Sequence, residues 1–146
     1  MDVRTVRYRP EHLTELGQVE AAEGGTAISF LDPAMQAALS QYNSWTHLDG
    51  EGRVVACGGT IQQWPGRHLA WLYLTQQSAR SMLPLTRAVR RVLDQVPGRV
   101  EATVLRGFEP GHRFARMLGF RVENDPGVLK AYGPGGEDHI AYVRGV

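Results

Sequence analysis

Cysteine and lysine are nearly absent from this chain, which has one of each among its 146 residues, Cys57 and Lys130. A single cysteine excludes a disulfide framework, and its place in an apolar stretch favours a buried structural thiol over a nucleophile. No apolar run is long enough to cross a bilayer, and the first residues alternate like a strand rather than forming the apolar block of a signal peptide. We therefore expect a soluble, cytoplasmic protein that does not contact a membrane.

Two catalytic patterns are missing as well. The chain has no Gly-x-Ser-x-Gly sequence, the turn that carries the nucleophile of many hydrolases. Its five histidines (His12, His47, His68, His112 and His139) have no mutual spacing that indicates metal ligation. We predict no metal site.

The charges are segregated along the chain. Residues 1–52 carry a net charge of −5, whereas residues 53–116 hold ten arginines against three acids, a net charge of +7. A basic middle suits an anionic ligand, either a phosphorylated cofactor or nucleic acid. Nucleic acid is the less expected partner, because the lysines usual in a phosphate footprint are missing. The arginines at 87, 90 and 91 also fit the solvated face of a helix.

Hydrophobic periodicity predicts one domain in which strands and helices alternate in a definite order. A first strand and two short helices precede three antiparallel strands, a long helix, a strand, a late helix and the final strands. The strands are expected at 3–8, 44–48, 53–64, 69–75, 100–105, 120–123, 129–132 and 139–144, and the helices from Pro10, from Asp32, over 81–96 and over 111–118. A helical crossover should make 69–75 and 100–105 parallel neighbours. Gly58 and Gly59, inside a strand, predict a bulge or a close backbone approach.

The element from His68 to Gln95 is the centre of this pattern. An apolar strand is followed by a short loop and by the start of an amphipathic helix. The first N–H groups of a helix lack intrahelical partners and its dipole favours negative charge, so a phosphate could dock where residues 76–82 turn into the helix.

The whole order of elements resembles the fold of the GNAT acyltransferases. Two stretches carry the likeness at residue level: 113–120, a late helix that ends in Leu-Gly-Phe, and 132–142, which looks like a closing hairpin with a Gly-Gly-Glu-Asp turn. The resemblance implies a mixed, mostly antiparallel α/β (α+β) sheet of six or seven strands with about four helices, in which strands four and five are parallel and splay apart.

The resemblance also implies acetyl-CoA as cosubstrate, held between the splayed strands and over the start of the long helix. The residues at the corresponding positions are Leu74, Thr75, Gln77, Ser78, Arg80, Ser81 and Met82. The chain departs from the family in two places. The loop at 76–81 contains none of the glycines that let backbone N–H groups close around a diphosphate, and Ala115 stands where many relatives have a tyrosine that protonates the leaving thiolate.

Acyl transfer to an amine requires a base for the amine and an acid for the departing thiolate. We predict His112 as the catalytic base and Tyr132 as the acid, with Glu101 and Tyr142 as alternatives. Each of these residues could instead have a purely structural role. His112 could be an ordinary helix cap, Glu101 could pair with an arginine, and both tyrosines could fill sheet faces.

We therefore predict an N-acetyltransferase that moves an acetyl group from acetyl-CoA to an amine, on a small molecule or a protein, by direct attack in a ternary complex. Both departures, together with residues 109–114, make the chain look most like small GNAT-like proteins encoded by tailed bacteriophages, some of which are described as virion or morphogenesis proteins. The alternative is thus a catalytically degenerate phage protein with a morphogenesis or host-interaction role. The acceptor-side stretches, 21–30 and 133–139, are undiagnostic, and the edge of the closing hairpin could support a homodimer.

Overall fold

The computed structural model describes residues 2–25, 27–28 and 31–146, which form one mixed sheet with helices on both faces. The strands are β1 (Arg4–Arg7), β2 (Asn43–Leu48), β3 (Val54–Trp64), β4 (Arg67–Leu74), β5 (Arg99–Leu105), β6 (Arg121–Val122), β7 (Val128–Leu129) and β8 (His139–Arg144). The helices are α1 (Pro10–Ala22), α2 (Pro33–Ala38), α3 (Met82–Asp94) and α4 (Glu109–Met117), with 3-10 segments at Leu39–Gln41 and Gln76–Ser81.

The strands lie in the order β1-β2-β3-β4-β5-β8-β6, and β7 also pairs with β8. Every pair is antiparallel except β4 with β5, as the crossover through α3 requires. This confirms the predicted fold class. The sheet has eight strands rather than six or seven, because the two-residue strands β6 and β7 pair separately with β8.

The first two helices begin where the sequence predicts. α1 opens at Pro10, and Leu13 and Leu16 on its inner face are completely buried. α2 opens at Pro33 behind Asp32, whose carboxylate accepts a hydrogen bond from the Ala34 N–H at 2.9 Å. Residues 26, 29 and 30, part of the predicted acceptor-side stretch, lie outside the described residues. None of the described helices is long and apolar enough to span a membrane.

Gly59 lies where two backbones come unusually close. A Cβ atom at this position would be 2.1 Å from the carbonyl oxygen of Asn43 on the neighbouring strand β2. Of the two predictions for the glycine pair, the close approach is therefore confirmed. The irregularities in the register of β3 lie elsewhere, beside Leu48 and between Gln62 and Trp64.

Two hydrophobic clusters cover the two faces of the sheet. On one face, here called the α1 face, Leu13, Leu16 and Leu39 pack with sheet residues that include Trp71 and Tyr73. On the other, the α3 face, residues of α3 and α4 pack against Val55 and Ala56 of β3 and against alternate residues of β4, β5 and β8. Because side chains alternate along a strand, each cleft residue described below can be assigned to one of these faces.

Candidate active site

The main opening in the sheet lies between β4 and β5. The two strands pair only over Arg67 to Leu69 and Arg99 to Glu101. Beyond that point β4 continues to pair with β3 as far as Leu74, and β5 with β8 as far as Leu105. The strands diverge, so the backbone groups of β4 after Leu69 that point towards β5 have no strand partner within the described chain.

The closed end of this gap is held by backbone contacts and ion pairs. The Arg99 N–H donates to the Gly66 carbonyl at 2.8 Å, and a Cβ atom on Gly98 would meet that same oxygen at 2.7 Å. Glu101 accepts from both Arg67 and Arg99 at 2.6 Å. The Arg67 and Arg99 guanidinium groups overcome partial burial and lower the pKa of Glu101 to about 2. Glu101 is therefore in an ion pair, the structural alternative raised by the sequence, and is not available as a base near neutral pH.

The open end widens into a cleft that passes through the sheet. Its volume is about 1190 Å³, above the roughly 300–1,000 Å³ of most ligand pockets. Its wall combines apolar residues of α3 and α4 with the facing edges of β4 and β5. Ala115, whose side chain has no proton to donate, is part of this wall.

The turn from β4 into α3 is organised by Ser78, not by glycine. The Ser78 hydroxyl accepts from the Thr75 N–H at 2.9 Å and donates to the Val55 carbonyl at 2.5 Å. These bonds fold the predicted loop into the 3-10 segment that precedes α3. The Glu23 carboxylate, at the end of α1, accepts from the N–H groups of Gln76 and Gln77 at 2.8 and 3.0 Å. The first N–H groups of this segment therefore do bind an anion, and the anion is a carboxylate of the chain itself.

The predicted cofactor residues fall into three groups. Leu74, Thr75 and Met82 line the cleft. Gln77 and Arg80 are exposed on the helical turn beside it. Ser78 and Ser81 are buried, and the Ser78 hydroxyl makes bonds within the protein. A cofactor role for these residues remains a prediction, in which the two serines would act through the shape of the turn.

His112 is buried behind the cleft wall and does not line the cleft. Its Nε2 donates to the Arg106 carbonyl at 2.7 Å, which leaves Nδ1 of the neutral ring to accept from the Tyr142 hydroxyl, also at 2.7 Å. Burial raises the pKa of Tyr142, which favours the protonated phenol that this bond needs. His112 and Tyr142 thus form a buried link between α4 and β8. A catalytic role for His112 remains a prediction, and both of its ring nitrogens are already occupied.

Tyr132 lies on the opposite side of β8 from this link. It is 57% exposed, and its ring centroid is 5.2 Å from that of His139. His139 lines the cleft, and its Nδ1 is buried without a hydrogen-bond partner among residues 2–25, 27–28 and 31–146. Tyr132 therefore borders the cleft through His139.

Several residues that line the cleft on the α1 face were not predicted as site residues from the sequence. Tyr73 and Trp71 line it from β4, and Glu20 lines it from α1. Burial, and secondarily the charge of Glu20, raise the pKa of Tyr73. The Glu20 carboxylate also accepts from the Ile28 N–H at 2.8 Å. Alternation along the central strand could have revealed Trp71 and Tyr73, but no local pattern places Glu20 or His139 opposite them.

Cys57 takes no part in this opening. It is completely buried on the α1 face, and burial raises its pKa to about 12. A thiol in this state is a poor nucleophile, in agreement with the structural role expected from the sequence.

Comparison with solved structures identifies the fold. The chain has the fold of the GNAT acetyltransferases, with the parallel and diverging β4 and β5. Ard1 from Thermoplasma volcanium aligns with a TM-score of 0.78 at 13% identity, covering 99% of this chain and 97% of that one. A GNAT superfamily phosphinothricin acetyltransferase from Sinorhizobium meliloti, solved in complex with AcCoA, aligns at 0.69 and 17% identity, covering 99% and 88%.

A third example has a named protein acceptor. Ribosomal-protein-S5-alanine acetyltransferase from Vibrio fischeri aligns with a TM-score of 0.68 at 14% identity, covering 99% of this chain and 93% of that one. No protein-family model and no curated protein matches the sequence. At these identities the similarity establishes the fold, and the activity must be argued from the cleft itself.

Proposed function

We propose that this protein is an N-acetyltransferase that moves an acetyl group from acetyl-CoA to an amine. The observation that carries the proposal is the gap between β4 and β5, which opens through the sheet in a fold shared with acetyltransferases. Acetyl-CoA would supply an acyl group activated as a thioester.

The cleft fits an extended ligand that contains amide groups. The backbone groups of β4 beyond Leu69 lack strand partners, so they can pair with such a ligand as they would with a neighbouring strand. Leu74 and Thr75 at the end of β4, and Met82 at the start of α3, would hold the arm of the cofactor. The phosphates would lie against the exposed turn that carries Gln77 and Arg80, within the basic segment of the chain.

The acceptor would approach from the α1 face. Because the cleft is lined by residues of both faces of the sheet, the cofactor could bind from one face and the amine from the other, so that the amine attacks the thioester directly. We retain Tyr132 as the proposed donor of a proton to the leaving thiolate, since Ala115 has no group that could do so. The geometry favours a structural role for His112.

A charge substitution at the cleft wall tests cofactor binding. Ala79 is exposed and lines the cleft, whereas Ala37 is exposed on α2 and does not. Ala79→Glu places a negative charge beside the proposed phosphate position and should weaken acetyl-CoA binding about tenfold or more, or about 1.4 kcal/mol. Ala37→Glu adds the same charge away from the cleft and should bind like the wild type.

Calorimetry and thermal melting provide the readouts, followed by an assay of acetyl-CoA turnover on a panel of amines and peptides. When acetyl-CoA is present at one hundred times its dissociation constant, the free energy of unfolding of the wild type should rise by about 2.7 kcal/mol. If the wild type does not bind at millimolar acetyl-CoA, or if the two variants bind equally, the proposed site is wrong.

A second function on the same fold has one specific observation in its favour. Glu23 already occupies the N–H groups of Gln76 and Gln77, and the turn lacks glycine. A chain that had lost the cofactor could retain the fold for an interaction, such as the morphogenesis or host-interaction role of a phage protein. The same titration separates the two, because this alternative requires no binding of acetyl-CoA.

A further inference from the structure

The α1-face opening of the cleft has an apolar wall on each side of the gap. Trp71 and Tyr73 of β4 pack with the cluster on the α1 face, so their side chains lie on this side of the sheet. Across the gap, Leu105 is the last residue of β5. Since Val104 before it packs with the cluster on the α3 face, Leu105 points to the α1 face. Leu105, Trp71 and Tyr73 all line the cleft.

Leu105 is unusually exposed for a residue within the sheet. Its side chain residue is 44% exposed, although β5 is paired with β8 at this position through His139. The ladder between β4 and β5 ends at Glu101, so the other side of Leu105 faces the gap. Single exposed leucines are ordinary on a protein surface, but this one lies across a cleft from two aromatic side chains. Its apolar surface is therefore available to a ligand in the opening.

The aromatic wall is held in place by its own packing. The Trp71 ring meets the buried Tyr8 ring edge-on, with the centroids 5.6 Å apart, and the Tyr73 centroid lies 6.1 Å from that of Trp71. Rings fixed in this way present a preformed apolar surface, so a ligand that packs on them does not have to order them.

The acidic groups of the opening are already bound within the protein. Glu20 and Glu23 are the acidic residues of the cleft lining in the described part of the chain. Both oxygens of Glu23 accept from N–H groups of the turn before α3, and Glu20 Oε1 accepts from the Ile28 N–H at 2.8 Å. A polyamine needs several free carboxylates to pair with its charges, and the opening does not offer them. It offers apolar contacts instead.

We propose that the acceptor is a primary amine with a bulky apolar group next to the nitrogen, and that Leu105, Trp71 and Tyr73 select it. The inference rests on the proposed acetyl transfer. The apolar group would lie between the two walls and direct the amine into the gap. The nitrogen then forms the bond to the thioester carbonyl carbon, the carbon–sulfur bond breaks with its electrons on sulfur, and the proton that the nitrogen loses ends on the thiolate. A free arylalkylamine and a peptide N-terminus with an apolar first residue present this same chemistry.

Two pairs of acceptors test the preference on the wild type. Phenethylamine and ethanolamine are primary amines of similar basicity that differ in apolar surface. A single methylene in an apolar pocket changes kcat/KM by about 10–200-fold, so phenethylamine should be preferred at least about tenfold. A peptide with an N-terminal phenylalanine and one with an N-terminal serine form the second pair. A tenfold preference in the first pair identifies a free amine as the acceptor, one in the second pair identifies a peptide, and either supports the inference.

A substitution at the wall tests which residue makes the selection. Leu105→Asn keeps the size of the side chain but makes it polar. The ratio of kcat/KM for phenethylamine to that for ethanolamine should fall about tenfold, while the dissociation constant of acetyl-CoA stays unchanged. Leu83→Asn is the matched control, because Leu83 is 59% exposed on α3 and does not line the cleft, and it should keep the wild-type ratio.

NMR of the indole N–H groups gives a readout without turnover. Phenethylamine should shift the signal of Trp71 and leave that of Trp64, which is exposed at the end of β3 and does not line the cleft. This measurement and the substrate pairs use the wild type, so they decide the matter even if Leu105→Asn does not fold.

A preference smaller than tenfold in both pairs overturns the inference and leaves the acetyltransferase proposal standing. Faster acetylation of spermidine than of phenethylamine and of the phenylalanine peptide, or equal ratios for Leu105→Asn and Leu83→Asn, also overturns it. A wild type that binds acetyl-CoA but acetylates none of these amines overturns it as well. A wild type that neither binds acetyl-CoA nor acetylates any of them refutes both proposals.

Discussion

His47 should make the stability of this protein depend on pH in the mildly acidic range. The side chain lies on β2, is 2% exposed, and has its Nδ1 3.0 Å from the Thr5 hydroxyl. Burial lowers the pKa of His47 from 6.5 to about 4. The folded protein therefore keeps this ring neutral at pH values where the unfolded chain has already protonated it.

The sign and size of the effect follow from this difference. Below pH 6.5 the unfolded state binds a proton that the folded state does not, so stability is lost as the pH falls from 6.5 to about 4. Each pKa unit corresponds to about 1.4 kcal/mol, so a difference of about 2.5 units amounts to about 3 kcal/mol. This is a large part of the roughly 5–15 kcal/mol that stabilises a typical domain.

Urea unfolding of the wild type and of His47→Gln at pH 7, 5.5 and 4 tests the reasoning. Gln does not titrate and can still hydrogen-bond to Thr5, while every other titrating group is common to both proteins. The free energy of unfolding of the wild type, relative to the variant, should fall by about 3 kcal/mol between pH 7 and pH 4. A difference between the two proteins that stays constant with pH would show that His47 does not resist protonation as its burial requires.

Two further changes test the packing around the cleft. His112→Leu should lower the free energy of unfolding by about 1–3 kcal/mol, because it removes the buried hydrogen bond to the Tyr142 hydroxyl and the bond to the Arg106 carbonyl. In urea unfolding its effect should not add to that of Tyr142→Phe, and full additivity would contradict the link between them. Gly59→Ala should cost about 2 kcal/mol or more, because its Cβ would meet a backbone oxygen. Gly50→Ala, whose Cβ meets nothing within 4 Å, should change thermal unfolding little, and equal effects would contradict the close approach.

The order of elements could be predicted because it depends on local signals. Pro10 and Pro33 mark helix starts, alternation marks the strands, and the crossover through α3 requires β4 and β5 to be parallel. The turn before α3 could be predicted only in part from the sequence. The absence of glycine indicated an unusual turn, but the bond from Ser78 to Val55 depends on a strand more than twenty residues away.

The site residues were harder to predict because their environment is made by distant parts of the chain. His112 looked like a base at a helix start, but Tyr142 of β8 and the Arg106 carbonyl occupy its nitrogens. His139 looked unremarkable at the end of a loop, yet β5 and β8 place it in the cleft without a partner for Nδ1. Burial and hydrogen bonding, not residue type, distinguish the two histidines.

The narrow connection between β4 and β5 also has a mechanical consequence. The sheet consists of two sub-sheets, β1–β4 and β5–β8, that share a ladder over three residue pairs only. Beyond this ladder the two sub-sheets are joined by side-chain packing on the α3 face and not by backbone hydrogen bonds, so amide hydrogens along the gap should exchange with solvent sooner than those inside either sub-sheet. A molecule that binds between β4 and β5 and hydrogen-bonds to both strands would couple the two sub-sheets. The cooperativity with which this chain unfolds therefore depends on whether the gap is filled.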